Sequence, residues 1–360
     1  MEKKYNFYAG PAILPEPVLE QLQADITDYQ GTGVSLIETS HRSKEYDAVH
    51  NAAITSLRTL FSVPDTHEIL FLGGGATMQF GMVPMNFLAG GSCDFTLTGA
   101  WAKKALADAN LYGDTHVIFD GTDSSFTTLP DPDSLSVRSE ARYLHLTTNE
   151  TIGGLQWKSF PDTGEVPIVA DMSSDILSRP VDLAPFGLVY AGAQKNLGPA
   201  GVTVVIIRKD MLEKEAGGLP AYLRYSTHAE KNSLYNTPPV FSIWALSLVL
   251  QWIERLGGLE AVAERNSMKS ALLYGVIEEL SEFYSCPVDE NYRSQMNVVF
   301  RTPSEELDKA FVEGAKAAGM LGLKGHRSVG GCRASIYNAM PLAGVETLVS
   351  YMREFARTHG

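Results

Sequence analysis

Short β-rich apolar runs alternate with amphipathic stretches through the first two thirds of the chain, and no other feature limits the fold as strongly. The runs lie at 68–73 (EILFLG), 94–99 (DFTLTG), 115–121 (THVIFDG), 142–148 (RYLHLTT), 167–172 (PIVADM), 187–192 (GLVYAG) and 201–209 (GVTVVIIRK). Helical patterns between them include 44–61, 76–88 and 101–113. Alternation of this kind predicts an α/β fold, a mostly parallel sheet with helices on both faces. From 257 onward the pattern changes to helices at 259–280, 304–319 and 344–359 and strands near 296–302 and 333–337. The expected organisation is a large α/β domain over 14–257 and a smaller α+β domain formed by 1–13 and 258–360, with the boundary near 254–260.

Composition narrows the class of function. A chain of 360 residues with 44% hydrophobic and 20% charged residues is globular and long enough for a large core. The net charge of −13 argues against a nucleic-acid or anionic-membrane partner, because either would be repelled overall. Cys93, Cys286 and Cys332 are odd in number and lack metal-ligand spacing, which points to a reduced compartment and to no zinc site. The first residues, MEKKYNFYAGPAILPEP, contain no apolar core of an export signal, so a cytoplasmic location is expected. The most apolar long segment, 240–258, is interrupted by Ser242 and Ser247 and reaches Glu254 too soon to span a bilayer; it reads as a buried helix.

In open α/β sheets ligands sit beyond the carboxyl ends of the strands, so the polar residues there are where chemistry is sought. After 68–73 comes GGGATMQF (73–80), glycines turning directly into a helix, which is an anion cradle or a plain strand-to-helix turn. It is neither a dinucleotide fingerprint nor a P-loop. Trp101 opens the helix after 94–99 and could be a core aromatic; Thr151, just past 142–148, could be a turn residue. Asp171 ends a run expected to be buried on both faces, where a carboxylate without a cation is costly. Lys195 follows 187–192 among glycines and a proline, so two neighbouring strands deliver an acid and an amine to one end of the sheet. A structural salt bridge and a pyridoxal phosphate site both remain open on this spacing.

Five segments, AGAQKNLGPAGV (191–202), ETSHRSKEY (38–46), GGGATMQF, NTPPVFSIW (236–244) and GHRSVGGCRASIYNAMP (325–341), together resemble the phosphoserine aminotransferase family, within the class V group of fold-type I pyridoxal phosphate enzymes. The likeness runs from NFYAGPAILP (6–15) to the last helix. It implies that Lys195 bonds the cofactor and moves the substrate proton, and that Asp171 pairs with the ring nitrogen. Trp101 would stack on the ring and Thr151 would bond near its phenolic oxygen. Ala76, Thr77 and Gln194 would hold the cofactor phosphate. The resemblance also implies that Asn236 and Thr237 reach that phosphate from a second subunit, so a homodimer with shared sites is expected.

For substrates, the resemblance assigns Arg333 to the α-carboxylate and His41, Arg42, His326 and Arg327 to the distal phosphate or carboxylate. Some relatives carry an arginine in the glycine loop, where this chain has Ala76-Thr77-Met78; the other basic residues would then bind the phosphate alone. The implied reaction is ping-pong transamination between glutamate and 3-phosphohydroxypyruvate, giving O-phosphoserine and 2-oxoglutarate in serine biosynthesis. The 4-phosphohydroxythreonine pair of pyridoxine biosynthesis fits the same anion logic. Alternatives are an alanine–glyoxylate type transaminase, a cysteine desulfurase, or a non-catalytic protein that keeps the fold. His41 and His326 as metal ligands compete weakly, because no second His or acid lies at ligand spacing.

Overall fold

In a computed structural model describing residues 4–360, the β-rich runs form β1 (His67–Leu72), β2 (Ser92–Leu97), β3 (Asp114–Asp120), β4 (Leu144–Thr147), β5 (Ile168–Asp171), β6 (Phe186–Gly192) and β7 (Thr203–Arg208). They join in one 7-stranded sheet in the order β1-β7-β6-β5-β4-β2-β3. From β6 to β3 every pairing is parallel, whereas β7 runs antiparallel to both its neighbours. The departure has a simple cause: the link 193–202 is too short to carry a helix back across the sheet, so β7 returns directly.

Both faces of the sheet are covered. Val204 and Ile206 point into one apolar cluster with Ile69, Leu146 and Ala170, while Val205 and Ile207 point into another with Leu70, Phe95 and Leu188. Period-2 alternation inside an unbroken apolar run is what burial on two sides requires. The helix Lys44–Leu60 shows how the sequence sets the covering layer. Ser43 accepts the Tyr46 N–H at 3.2 Å as its N-cap, Glu45 and Asp47 sit at the positive end, and Arg58 lies in the last turn. Its buried stripe Tyr46, Val49, Ala53, Leu57 packs on the helix Val240–Arg255. Cutting Leu57, fully buried, back to alanine would cost about 2–5 kcal/mol.

No single described helix is long and apolar enough to cross a membrane. Val240–Arg255 buries Ile243, Trp244, Leu246, Val249, Leu250 and Ile253 in the main core. The next helix, Gly258–Glu279, leaves it at 84°, turning through Gly257 at φ +102°. Leu259 and Val262 of that helix belong to the main core, and Leu273, Val276 and Ile277 to a further one built with Phe7, Phe300, Phe311 and Leu348. The strand Asn297–Phe300 pairs antiparallel with Cys332–Ser335, and Tyr5–Asn6 pairs parallel with Met320–Leu321. The chain start is thus tied to the part carrying Arg333. The helix expected over 101–113 ends at Ala109, because Gly113 must turn the chain into β3; a Cβ there would press on Leu88 at 2.6 Å.

Candidate active site

The carboxyl ends of β1, β2, β4, β5 and β6 lie on one side of the sheet, and they deliver Gly73–Gly75, Trp101, Thr151, Asp171 and Lys195 to one place. Each arrives by a short turn rather than a long loop. Gly74, at φ +90°, is the residue before the helix Gly75–Phe87, and a side chain there would run into Met78 at 2.6 Å. The first-turn amides of Gly75, Ala76 and Thr77 have no intrahelical acceptor and make up the positive end of the helix dipole. Gly192 leaves room for Gln194, whose Oε1 would stand 2.6 Å from a Cβ at that position. The Gln194 carbonyl accepts the Ala12 N–H at 2.9 Å, which fixes the loop that carries Lys195.

Lys195 Nζ donates to Thr151 Oγ1 at 2.7 Å and lies 5.6 Å from the centre of the Trp101 ring. Burial lowers its pKa below the ordinary lysine range, against the pull of Asp171 and Glu150. Asp171 is 5% exposed and accepts the Ser173 N–H at 2.8 Å. Burial raises its pKa, against the opposing effects of Lys195 and Ser173. Among the described residues no ion pair engages Asp171, so the structural salt bridge left open by the spacing is not formed. Amine and carboxylate sense each other across a gap.

Arg333 closes the other side. Its Nη1 donates to the Thr151 carbonyl at 3.2 Å, and its buried Nε has no partner among the described residues. The guanidinium edge made by Nε and Nη2 is therefore available for a carboxylate. The indole Nε1 of Trp101 is likewise buried without a partner. His326 is half-buried and bonded to Ser328 Oγ at 2.7 Å; desolvation and then the charges of Arg333, Arg327 and Lys104 lower its pKa. The three cations Arg333, Arg327 and Lys104, with the His326 ring among them, form an anion-attracting rim.

A pyridoxal phosphate cofactor fits this arrangement. A protonated ring nitrogen would supply the cation that Asp171 lacks, the Trp101 face would take the ring, and the amides of Ala76 and Thr77 with Gln194 would receive a phosphate. Lys195 would bond the cofactor carbonyl.

Other expected residues are not brought to Lys195 within one chain. His41 is half-buried and Arg42 exposed, just ahead of the helix Lys44–Leu60. Asn236 and Thr237 are exposed, with Asn236 Nδ2 donating to the Thr237 carbonyl at 3.0 Å. Among the described residues no hydrogen bond or ion pair joins these four to the group around Lys195. Cys332 is 1% exposed inside the core with Phe300 and Phe311, its thiol pKa pushed up by burial. That removes the cysteine a desulfurase would need at this motif.

Two residues of the site went unnoticed in the sequence. Lys104 Nζ lies 4.4 Å from the Trp101 ring centre, on the exposed side of the helix Ala100–Ala109. Glu150, 1% exposed, accepts the Ala102 N–H at 3.2 Å and the Trp101 N–H at 3.4 Å. A charge one residue before Thr151 and one turn after Trp101 was the only available signal.

The family model described as aminotransferase class-V matches residues 4–348. A phosphoserine aminotransferase of Geobacillus kaustophilus is 55% identical over 358 residues, covering 99% of each chain. The solved phosphoserine aminotransferase from Bacillus circulans subsp. alkalophilus superposes with a TM-score of 0.98 at 54% identity, covering 100% of both chains. A PLP-bound phosphoserine aminotransferase from Trichomonas vaginalis gives 0.90 at 36% identity, over 98% of this chain and 100% of that one.

Proposed function

The chain belongs to the class-V aminotransferase family, and from that premise we propose how its residues carry out phosphoserine transamination. The enzyme is pyridoxal phosphate-dependent and passes the amino group between the glutamate/2-oxoglutarate pair and the O-phosphoserine/3-phosphohydroxypyruvate pair. When bound, the cofactor withdraws electrons from the substrate Cα and so makes its proton removable. Everything else is the protein's task.

Lys195 takes the Cα proton and returns a proton for the exchange of amine and ketone; it must be neutral to do so, and its buried position favours the neutral amine. Asp171 keeps the ring nitrogen protonated. Trp101 and Thr151 fix the plane of the ring, and Ala76, Thr77 and Gln194 hold the phosphate. Arg333 grips the α-carboxylate through its free Nε and Nη2 edge, which sets the Cα hydrogen toward Lys195. His326, Arg327 and Lys104, joined by His41 and Arg42, bind the distal anion, so both substrates use one set of contacts.

Exposure of Asn236 and Thr237 supports their contribution to the phosphate site of a second copy, hence a homodimer. A further apolar core built from Phe7, Leu273, Phe300, Phe311 and Leu348 supports a small domain from 1–13 with 258–360 beside a large one over 14–257, with Leu259 and Val262 packing across into the main core. The reaction suits a cytoplasmic enzyme of serine biosynthesis.

The observation that carries the substrate assignment is the cationic rim beside Arg333, which matches an acid with two anionic ends. An amino-donor panel of glutamate, O-phosphoserine, 4-phosphohydroxythreonine, alanine and serine tests it. Turnover of glutamate and phosphoserine far above alanine and serine is expected. Activity with alanine and none with phosphoserine would overturn it in favour of an alanine–glyoxylate type enzyme, and activity with phosphohydroxythreonine would extend the reading to pyridoxine biosynthesis.

A further inference from the structure

Glu150, like Asp175, is a buried carboxylate whose charge Lys195 senses and that the mechanism above does not use. It is 1% exposed, in the two-residue strand Asn149–Glu150 just after β4, yet it reaches the first turn of the helix Ala100–Ala109 from a different part of the chain. Oε1 accepts the Ala102 N–H at 3.2 Å and the Thr98 hydroxyl at 3.4 Å, and Oε2 accepts the Trp101 N–H at 3.4 Å. These are the bonds an N-cap side chain would make. The residue in the N-cap position is Gly99, which has no side chain to offer and makes no cap bond. A Cβ on Gly99 would stand 2.6 Å from Oε2 and 2.8 Å from Oε1, so the glycine is what lets the carboxylate in.

The neighbouring residue completes the arrangement. Thr151 accepts Lys195 Nζ on its hydroxyl and Arg333 Nη1 on its carbonyl. The dipeptide Glu150-Thr151 therefore touches the ring-stacking tryptophan, the reactive amine and the carboxylate-binding arginine. Asn149, just before it, donates to Ser174 Oγ and to Asn297 Oδ1, both at 2.8 Å, which anchors the turn to both cores.

We propose that Glu150 is a positioning residue: it caps the helix Ala100–Ala109 from across the sheet and thereby holds the Trp101 ring against the cofactor face. A Ser or Asp at position 99 would cap the helix as well but would fill the space Glu150 occupies and lose the link to Thr151. Burial pushes the Glu150 pKa up to about 7, with Asp171 adding to the rise and the Ala102, Trp101 and Thr98 bonds opposing it. Lys195 and Tyr190 also sense its charge.

The inference rests on the cofactor reading above, so its test has an arm that does not. Hydrogen–deuterium exchange on the apoprotein reads the cap directly. Glu150→Ala should speed exchange of the Trp101 and Ala102 amides about tenfold, with Glu150→Gln, which keeps one acceptor oxygen, between it and the parent. In a second arm, titration of the apoprotein with pyridoxal phosphate by visible absorbance should show affinity about tenfold weaker in Glu150→Ala. That loss should shrink to within twofold in a Trp101→Leu background, because the carboxylate acts through the ring. Should Glu150→Ala not fold, Glu150→Gln carries both arms, read against its unchanged unfolding midpoint. Unchanged exchange at 101 and 102, or an equal affinity loss with and without Trp101, overturns the proposal. Failure of the unsubstituted protein to take up pyridoxal phosphate would instead strike the cofactor reading and leave the exchange result standing.

Discussion

Replacing Arg333 by lysine keeps the charge and removes the fork, and the structure allows the loss to be worked out. One arm of the guanidinium is committed to the Thr151 carbonyl at 3.2 Å, and Nε, buried and without a partner, shares the remaining edge with Nη2. A carboxylate on that edge gains two charge-assisted bonds with fixed spacing. Lysine can supply one point contact and cannot also hold Thr151. Loss of one charge-assisted bond, worth about 1.5–3 kcal/mol, lowers kcat/KM about 10- to 150-fold. Glutamate and phosphoserine should suffer alike, since each presents an α-carboxylate to this edge, while the affinity for pyridoxal phosphate stays within about twofold. Steady-state kinetics in both directions, with a spectrophotometric cofactor titration, measure all three quantities. Kinetics of Arg333→Lys within threefold of the parent, or loss confined to one substrate, would refute the role.

Further outcomes follow from other parts of the site. Lys104→Ala should raise KM for phosphoserine more than for alanine as donor, because its ammonium belongs to the distal-anion rim; equal effects on both would remove it from the rim. Gly74→Ala forces an L side chain to φ +90° against Met78 and should cost at least about 1–2 kcal/mol in a denaturant titration, with weaker cofactor binding. Mixing Lys195→Ala subunits with Asn236→Ala/Thr237→Ala subunits should restore activity, since one site of the mixed dimer is then intact; no recovery after verified subunit exchange argues that each chain completes its own site. Lys269, buried and donating to the Ile336 and Tyr337 carbonyls at 2.9 and 2.7 Å, has its pKa lowered to about 7 by burial and then by Arg265. The unfolded chain binds the extra proton between about pH 7 and 10.4, so stability rises with pH across that window. Lys269→Met should flatten that slope in denaturation curves at pH 7, 8.5 and 10.

The central sheet was legible because each strand has a short β-rich apolar centre, even where Asp94 or His116 interrupts it; β2 is displaced by only two residues, from 94–99 to Ser92–Leu97. The antiparallel return of β7 was less so, since period-2 patterning is blind to direction and only the short link 193–202 decides it. Asp171 and Lys195 stood out as charges at the ends of buried strands, and that expectation needed no partner residue to be known. Glu150 did not stand out. Its meaning depends on Gly99, about fifty positions earlier, and such a pairing exists only once β2 and β4 lie side by side. Lys104 read as an ordinary solvated lysine, because its place beside Trp101 and near His326 is set by packing between distant segments. His41, Arg42, Asn236 and Thr237 entered through family resemblance, and a single chain leaves them away from Lys195.

The most direct measurement is a single-turnover experiment on the protein loaded with pyridoxal phosphate and given O-phospho-L-serine alone. The account predicts loss of the visible absorbance band with release of one 3-phosphohydroxypyruvate per site, and no such change in Lys195→Ala. A band that persists with phosphoserine and glutamate but is lost with alanine, or a protein that takes up no pyridoxal phosphate, would contradict it.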